Sequence, residues 1–94
     1  MEFVDGKLLR IFIDQRARSG MQPAYTAIVE LLRKRGMKGA SVFRGIEGSS
    51  AHAPVIIEVV DDEAAIERIL PEIEARMTEG TVTIEAARYA RRAR

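Results

Sequence analysis

The stretch Ala40-Ser41-Val42-Phe43-Arg44-Gly45-Ile46-Glu47-Gly48-Ser49-Ser50-Ala51-His52-Ala53-Pro54-Val55-Ile56-Ile57-Glu58-Val59-Val60 decides the fold. Its two ends, Ala40 to Ile46 and Pro54 to Val60, are rich in β-branched and aromatic residues, and the middle is a run of small residues. That is the composition of two strands joined by a turn. Working outward toward the N-terminus, Met21, Ala24, Tyr25, Ile28, Leu31 and Leu32 recur at helical spacing after a start marked by Ser19 or Gln22 and by Pro23 near the first turn. Arg33, Lys34 and Arg35 complement the negative end of that helix, and Gly36 supplies a left-handed cap. Before it, Lys7 to Asp14 reads as a strand with Leu9, Ile11 and Ile13 on one side.

Toward the C-terminus, Asp61, Asp62 and Glu63 place negative charge where a helix begins, and Ile66, Ile69, Leu70, Ile73 and Met77 form its apolar stripe. Pro71 is expected to interrupt this helix and to open a restarted segment, because an interior proline deletes a hydrogen bond and clashes with the preceding turn. Gly80 is expected to cap its end. Thr81 to Glu85 alternates as a last strand ahead of an arginine-rich tail. The order is βαββαβ, an α+β, ferredoxin-like plan: a four-stranded antiparallel sheet with two helices on one face, in a single domain over residues 1–94.

Composition narrows the function classes. A chain of 94 residues has room for one modest core. With 47% hydrophobic and 31% charged residues it reads as a soluble globular protein, and its apolar runs are too short to cross a bilayer. Residues Met1 to Gly6 lack the basic-then-apolar pattern of a secretory signal, so the expected location is cytoplasmic. There is no cysteine, hence no thiolate chemistry, and His52 is the single histidine, read as an unpartnered polar loop residue; no metal and no cofactor are expected. The net charge of +1 exerts no general pull toward nucleic acid or anionic lipid.

Strand one also carries Leu8 and Phe12 opposite its Leu9-Ile11-Ile13 set, and strand three carries Ile56 and Val60 opposite Val55-Ile57-Val59. An apolar second face is rarely left in water, so another copy of the chain is expected to cover it. RNA-recognition modules share this strand order, but they need stacking aromatics where this face is mainly aliphatic. Three places offer anion contacts. Arg44, with Gly45, Glu47 and Gly48, forms a turn whose glycines are free to adopt positive φ and whose guanidinium matches a carboxylate or phosphate; equally, the turn is a simple bulge with Arg44 paired to Glu47 or Glu58. Arg88, Arg91, Arg92 and Arg94 offer further cations, or form a frayed or disordered tail. The basic loop Gln15-Arg16-Ala17-Arg18-Ser19-Gly20 precedes helix one as phosphate-binding turns do, but small ferredoxin-like phosphatases also need an asparagine, and the chain has none.

Lys7 to Ile13, Leu31 to Gly48 and Pro54 to Asp61 together resemble a PII-like family catalogued as a domain of unknown function, number 190; the run Lys34 to Gly48 is the most specific part, and Gly80 to Glu85 fits the family's last strand. The resemblance implies a non-catalytic signalling protein built as a homotrimer. It implies a small effector bound at subunit interfaces, and a loop after strand two that meets a regulated protein partner; the effector is expected to be anionic, with nucleotides as one candidate class and ATP not inherited directly. On that basis Arg44, Gly45, Glu47, Gly48, Arg88 and Arg91 are the expected ligand-binding residues. Two departures stand out. Only Ser49 to Ala53 separates Gly48 from Pro54, where relatives carry a longer loop, and Met77-Thr78-Glu79-Gly80 stands where PII proteins proper have a glycine- and lysine-bearing phosphate loop. Amino-acid-binding regulatory modules of the same fold, and a small phosphate-ester hydrolase, are the alternative readings.

Overall fold

The computed structural model describes residues 1–92, so Arg94 lies outside the described residues. Chain order is β1 (Val4–Asp14), a short hairpin of β2 (Arg18–Ser19) and β3 (Gln22–Pro23), α1 (Ala24–Lys34), β4 (Ser41–Arg44), β5 (Pro54–Asp61), α2 (Glu63–Glu74) and β6 (Thr81–Tyr89). The main sheet runs β4-β5-β1-β6 with every neighbouring pair antiparallel. This is the expected ferredoxin-like arrangement. Leu9, Ile11 and Ile13 of β1 and Val55, Ile57 and Val59 of β5 point to one side and pack with Ile28, Leu31 and Leu32 of α1 and Ile66, Ile69 and Ile73 of α2 in one buried core. The period-2 pattern of the strands and the 3.6-residue stripe of the helices meet in that layer. Among the described residues, no helix is long and apolar enough to cross a membrane.

Four expectations change. The helix α2 is continuous from Glu63 to Glu74 with Pro71 inside it, so no segment restarts there. The interior proline costs about 3 kcal/mol, but its ring is on the exposed side, and continuing the helix buries Ile73 to 1% exposure beside Ile66 and Ile69. Burying one such side chain returns about 1.5–3 kcal/mol. Asp62 caps the start, accepting the Ala65 N–H at 2.8 Å. The end is capped by Ala75, not by Gly80. The strand β4 stops at Arg44, which leaves Gly45 to Glu47 outside the sheet, and β6 runs on to Tyr89, which places Arg88 inside it and not in a tail. For α1 the expected stop holds: Gly36 has φ +68°, its N–H bonds the Arg33 carbonyl at 3.0 Å, and Met37 N–H bonds Leu32 at 2.9 Å.

Gly80 has a different duty. Its φ is +122°, and a Cβ there would stand 2.6 Å from the Phe12 carbonyl oxygen. Both facts follow from the chain turning hard against β1 before it enters β6. Gly80→Ala is expected to destabilise the fold by about 2 kcal/mol or more, read as a drop in Tm on the order of 10 °C; a change of only a degree or two would contradict this account.

The second face of the sheet is not the continuous apolar patch that β1 and β5 suggest. Cross-strand register sets Phe12 beside Ile56 and Phe43 at one end, and Leu8 beside Val60 at the other. Between them, Arg10 pairs with Glu58 at 2.8 Å and with Glu85 on β6, and β6 adds Thr81 and Thr83. A charged row therefore divides two apolar patches. All of these β1 and β5 side chains remain half-buried, not sealed.

Candidate functional site

The expected ligand-binding residues fall at opposite poles of the sheet. Arg44 lies opposite Val55, which lies opposite Ile13 on β1, whereas Arg88 lies opposite Asp5 on the same strand. Eight residues of strand separate the two positions, about 26 Å at ~3.3 Å per residue. Within one subunit they do not converge.

At the first pole, Gly45 donates its N–H to the Pro54 carbonyl at 2.8 Å, closing the base of the loop. Neither Gly45 nor Gly48 has a positive φ. What Gly45 provides is space, since a Cβ would stand 2.5 Å from Pro54 Cγ. Arg44 pairs with neither Glu47 nor Glu58: Glu58 is held by Arg10, and Arg44 Nη1 reaches Gln15 Oε1 at 3.4 Å, a long bond that leaves the guanidinium exposed. Glu47 and Gly48 line a shallow concavity of about 280 Å³ with Ser50 and His52.

His52 is partnered, contrary to the sequence reading. Its Nε2 accepts from Arg16 Nη1 at 2.8 Å, and its Nδ1 faces Asp14 Oδ2 at 3.4 Å. Asp14 also accepts the Arg16 backbone N–H at 2.8 Å, and Ser50 Oγ lies 3.3 Å from its Oδ2. The Arg16 N–H above all, with the neighbouring His52 and Ser50 adding to it, holds the Asp14 carboxyl below the usual carboxylate range against the opposing effect of burial. Although a serine, a histidine and an aspartate meet here, Ser50 Oγ bonds Asp14 and the His52 carbonyl, not the imidazole, so the arrangement does not activate a nucleophile. It clips the Gly45-to-Ala53 loop onto the end of β1, helped by Gln15 N–H to Ala53 at 3.1 Å. The basic segment from Gln15 to Gly20 does not present an open helix terminus either. Its Arg18 and Ser19 form a hairpin with Pro23 and Gln22, and the Ala24 N–H is taken by the Ala17 carbonyl at 2.8 Å.

At the second pole Arg88 and Arg91 each have a defined partner. Arg88 lies over the Phe3 ring at 5.7 Å, and Arg91 stacks on Tyr89 at 5.0 Å while donating Nη2 to the Val60 carbonyl at 2.7 Å. Arg91 lines a groove of about 760 Å³ where the end of α1 meets the start of α2, together with Arg35, Lys38 and Arg68. The sequence reading missed Lys38 and Arg68. Their signal was topological: in a βαββαβ plan, α1 ends at the pole where α2 begins, so cations after one helix meet cations early in the next. Among the described residues, no three His, Asp or Glu side chains converge as a metal site requires.

Residues 6–89 match the model of the DUF190 family, described as "Uncharacterized ACR". The chain is 33% identical to the UPF0166 protein of Aquifex aeolicus, covering 90% of this chain and 93% of that protein, and 31% identical to a UPF0166 protein of Methanocaldococcus jannaschii, covering 74% and 77%. The first alignment spans 99 positions, more than the 94 residues here, so the relative has positions with no counterpart in this chain. Among solved structures, CPII, a nitrogen regulatory PII-like protein from Thiomonas intermedia K12 bound to ADP, AMP and bicarbonate, superimposes with a TM-score of 0.63 at 21% identity over 96% of each chain. That likeness carries the fold, whereas the sequence matches carry the family: this chain belongs to the DUF190 family and has a PII-like fold.

Proposed function

We propose that this protein is a non-catalytic PII-like regulator that acts as a homotrimer and binds a small anionic effector at its subunit boundaries, adenine nucleotides being the first class to test. The observation that carries the reading is the separation of the two cationic groups. Arg44, Gly45, Glu47 and Gly48 stand about 26 Å from Arg88 along one sheet, too far to share a small ligand. Residues from the two poles can meet only where one subunit presents its loop pole to the arginines of the next. The half-buried apolar patches on the open sheet face supply a reason for subunits to associate. The bound ADP and AMP of CPII make nucleotides the natural first probe. Ser50, bonded away from the imidazole, argues against hydrolysis. The loop from Gly45 to Ala53, tied to β1, is the proposed surface for a regulated protein partner in the cytoplasm.

Thermal-shift measurements with ADP, AMP and bicarbonate test this. Ligand at a hundred times its Kd stabilises by about 2.7 kcal/mol, a rise in Tm on the order of 10 °C for a domain of this size. Arg44→Ala is expected to lose most of that rise while keeping the Tm of the free protein, because Arg44 is exposed. A rise with amino acids alone would move the protein to the amino-acid-binding modules of this fold; no rise with any compound would oppose an effector role.

A further inference from the structure

The groove where α1 ends and α2 begins holds more positive charge than its own carboxylates can answer. Four cations, Arg35, Lys38, Arg68 and Arg91, face three carboxylates, Asp61, Asp62 and Glu72, and each carboxylate already accepts hydrogen bonds. Asp61 Oδ1 accepts the Asp62 N–H at 2.8 Å, and Asp62 Oδ1 accepts the Ala65 N–H at 2.8 Å. Glu72 is forked by Arg35 through Nε at 2.9 Å and Nη2 at 2.6 Å. That pairing, assisted by Arg76 and Lys34, holds the Glu72 carboxyl below its usual range. Once these are set aside, Lys38, Arg68 and Arg91 remain around the groove of about 760 Å³, and none has a carboxylate partner among the described residues.

Arg91 is also built into place. Its guanidinium stacks on Tyr89 and bonds the Val60 carbonyl, and Gly39 keeps the room it occupies, since a Cβ there would stand 2.8 Å from Nη2. Tyr89 in turn rests on Gly6, where a Cβ would stand 2.5 Å from its ring. The Tyr89 ring and the Val60 carbonyl thus hold the guanidinium at the groove wall before any ligand arrives, which lowers the ordering cost of binding. The α2 N-terminus is not the binding device, because Asp62 occupies it.

We propose that this groove binds a small phosphate-bearing molecule through Lys38, Arg68 and Arg91. Three separate cationic donors without carboxylate partners suit a ligand with several acceptor oxygens, which a phosphate or diphosphate group offers and a single carboxylate does not. The volume leaves space for an organic moiety beyond the phosphate. Lys38 and Arg68 lie outside the set proposed for the subunit boundary, and Arg91 is the residue the two sites share.

Pyrophosphate is the probe, titrated calorimetrically into the full chain at physiological salt. Because Arg91 also belongs to the set proposed for the subunit boundary, Lys38 and Arg68 are the discriminating residues. Saturable binding is expected with one site per chain, weakened at least ~tenfold by Lys38→Ala with Arg68→Ala, since each charge-assisted bond contributes roughly that factor. Arg33→Ala, which removes an exposed cation outside the groove lining, is expected to leave it unchanged. Both lysine and arginine positions are exposed, and an unaltered far-UV spectrum checks that the double variant folds. No saturable binding, binding indifferent to the double variant, or equal loss in Arg33→Ala would each overturn the proposal. Failure here with nucleotide binding intact leaves the subunit-boundary reading standing; the reverse result separates them the other way.

Discussion

Ile57→Ala is expected to lower the Tm by on the order of 10 °C or more, because truncating a buried isoleucine costs about 2–5 kcal/mol and each kcal/mol shifts a domain of this length by about 4–8 °C. Ile57 has no exposed surface, and it stands in the sheet's interior between Val42 on β4 and Ile11 on β1. Its helix-side neighbours come from both helices through the common core, so the cavity cannot be closed by moving one element. The loss is large against a total stability of about 5–15 kcal/mol. Val42→Ala is the internal control: it sits on the same cross-strand row, but at 46% exposure on an edge strand, and is expected to cost less than about 1 kcal/mol. Differential scanning calorimetry of the two variants decides the matter. A similar small shift for both would mean that the core is not organised around β5 as described.

The second large effect concerns assembly. Ile56→Glu is expected to convert a particle of about three chain masses into a folded monomer of 10.5 kDa, read by light scattering with the far-UV spectrum retained. Ile56 lies on the open face between Phe12 and Phe43, in the larger of the two apolar patches, so the proposed subunit contacts cover it. An unpaired carboxylate buried there is costly, and in the proposed trimer the cost is repeated at each copy. In the free monomer the same side chain stays half-exposed and reaches water. The neighbouring charges sharpen the effect, because Glu58 lies two residues along on the same face and is already committed to Arg10. A wild-type chain that runs as a monomer, or a variant that keeps the trimeric mass, would remove the basis for subunit-boundary binding.

Much of the scaffold was legible in the sequence because its signals are local and periodic. Alternation in β1 and β5, the helical stripes of α1 and α2, and Gly36 after Arg33-Lys34-Arg35 each report on a few neighbouring residues. The errors came where a distant contact outweighed a local rule. Pro71 suggests a break, yet the core wants Ile73 on the same stripe as Ile66 and Ile69. Gly80 suggests a helix cap, yet its reason is the Phe12 carbonyl on another strand. Arg88 and Arg91 look like a frayed tail because alanines surround them, whereas β1 is long enough to pair β6 as far as Tyr89, and beyond the strand Arg91 is held by the Tyr89 ring and the Val60 carbonyl.

The candidate site was less legible for a related reason. A sequence shows that Arg44 and Arg91 exist, but only strand register shows that they lie at opposite poles. His52 is a lone histidine in the sequence; β1 and its following turn bring Asp14 and Arg16 to it from 36 to 38 residues away.

Sequence alone determined the βαββαβ order, the identity of the core faces and the membership of the family, since these rest on periodicity and on local residue runs. Tertiary structure decided which charges are already answered and which remain available. The open face is split by Glu58-Arg10-Glu85, the Arg44 loop is clipped to β1, and Lys38, Arg68 and Arg91 gather around one groove. Electrostatic pairing depends on distances between residues far apart in the chain, and no periodicity in the sequence records it.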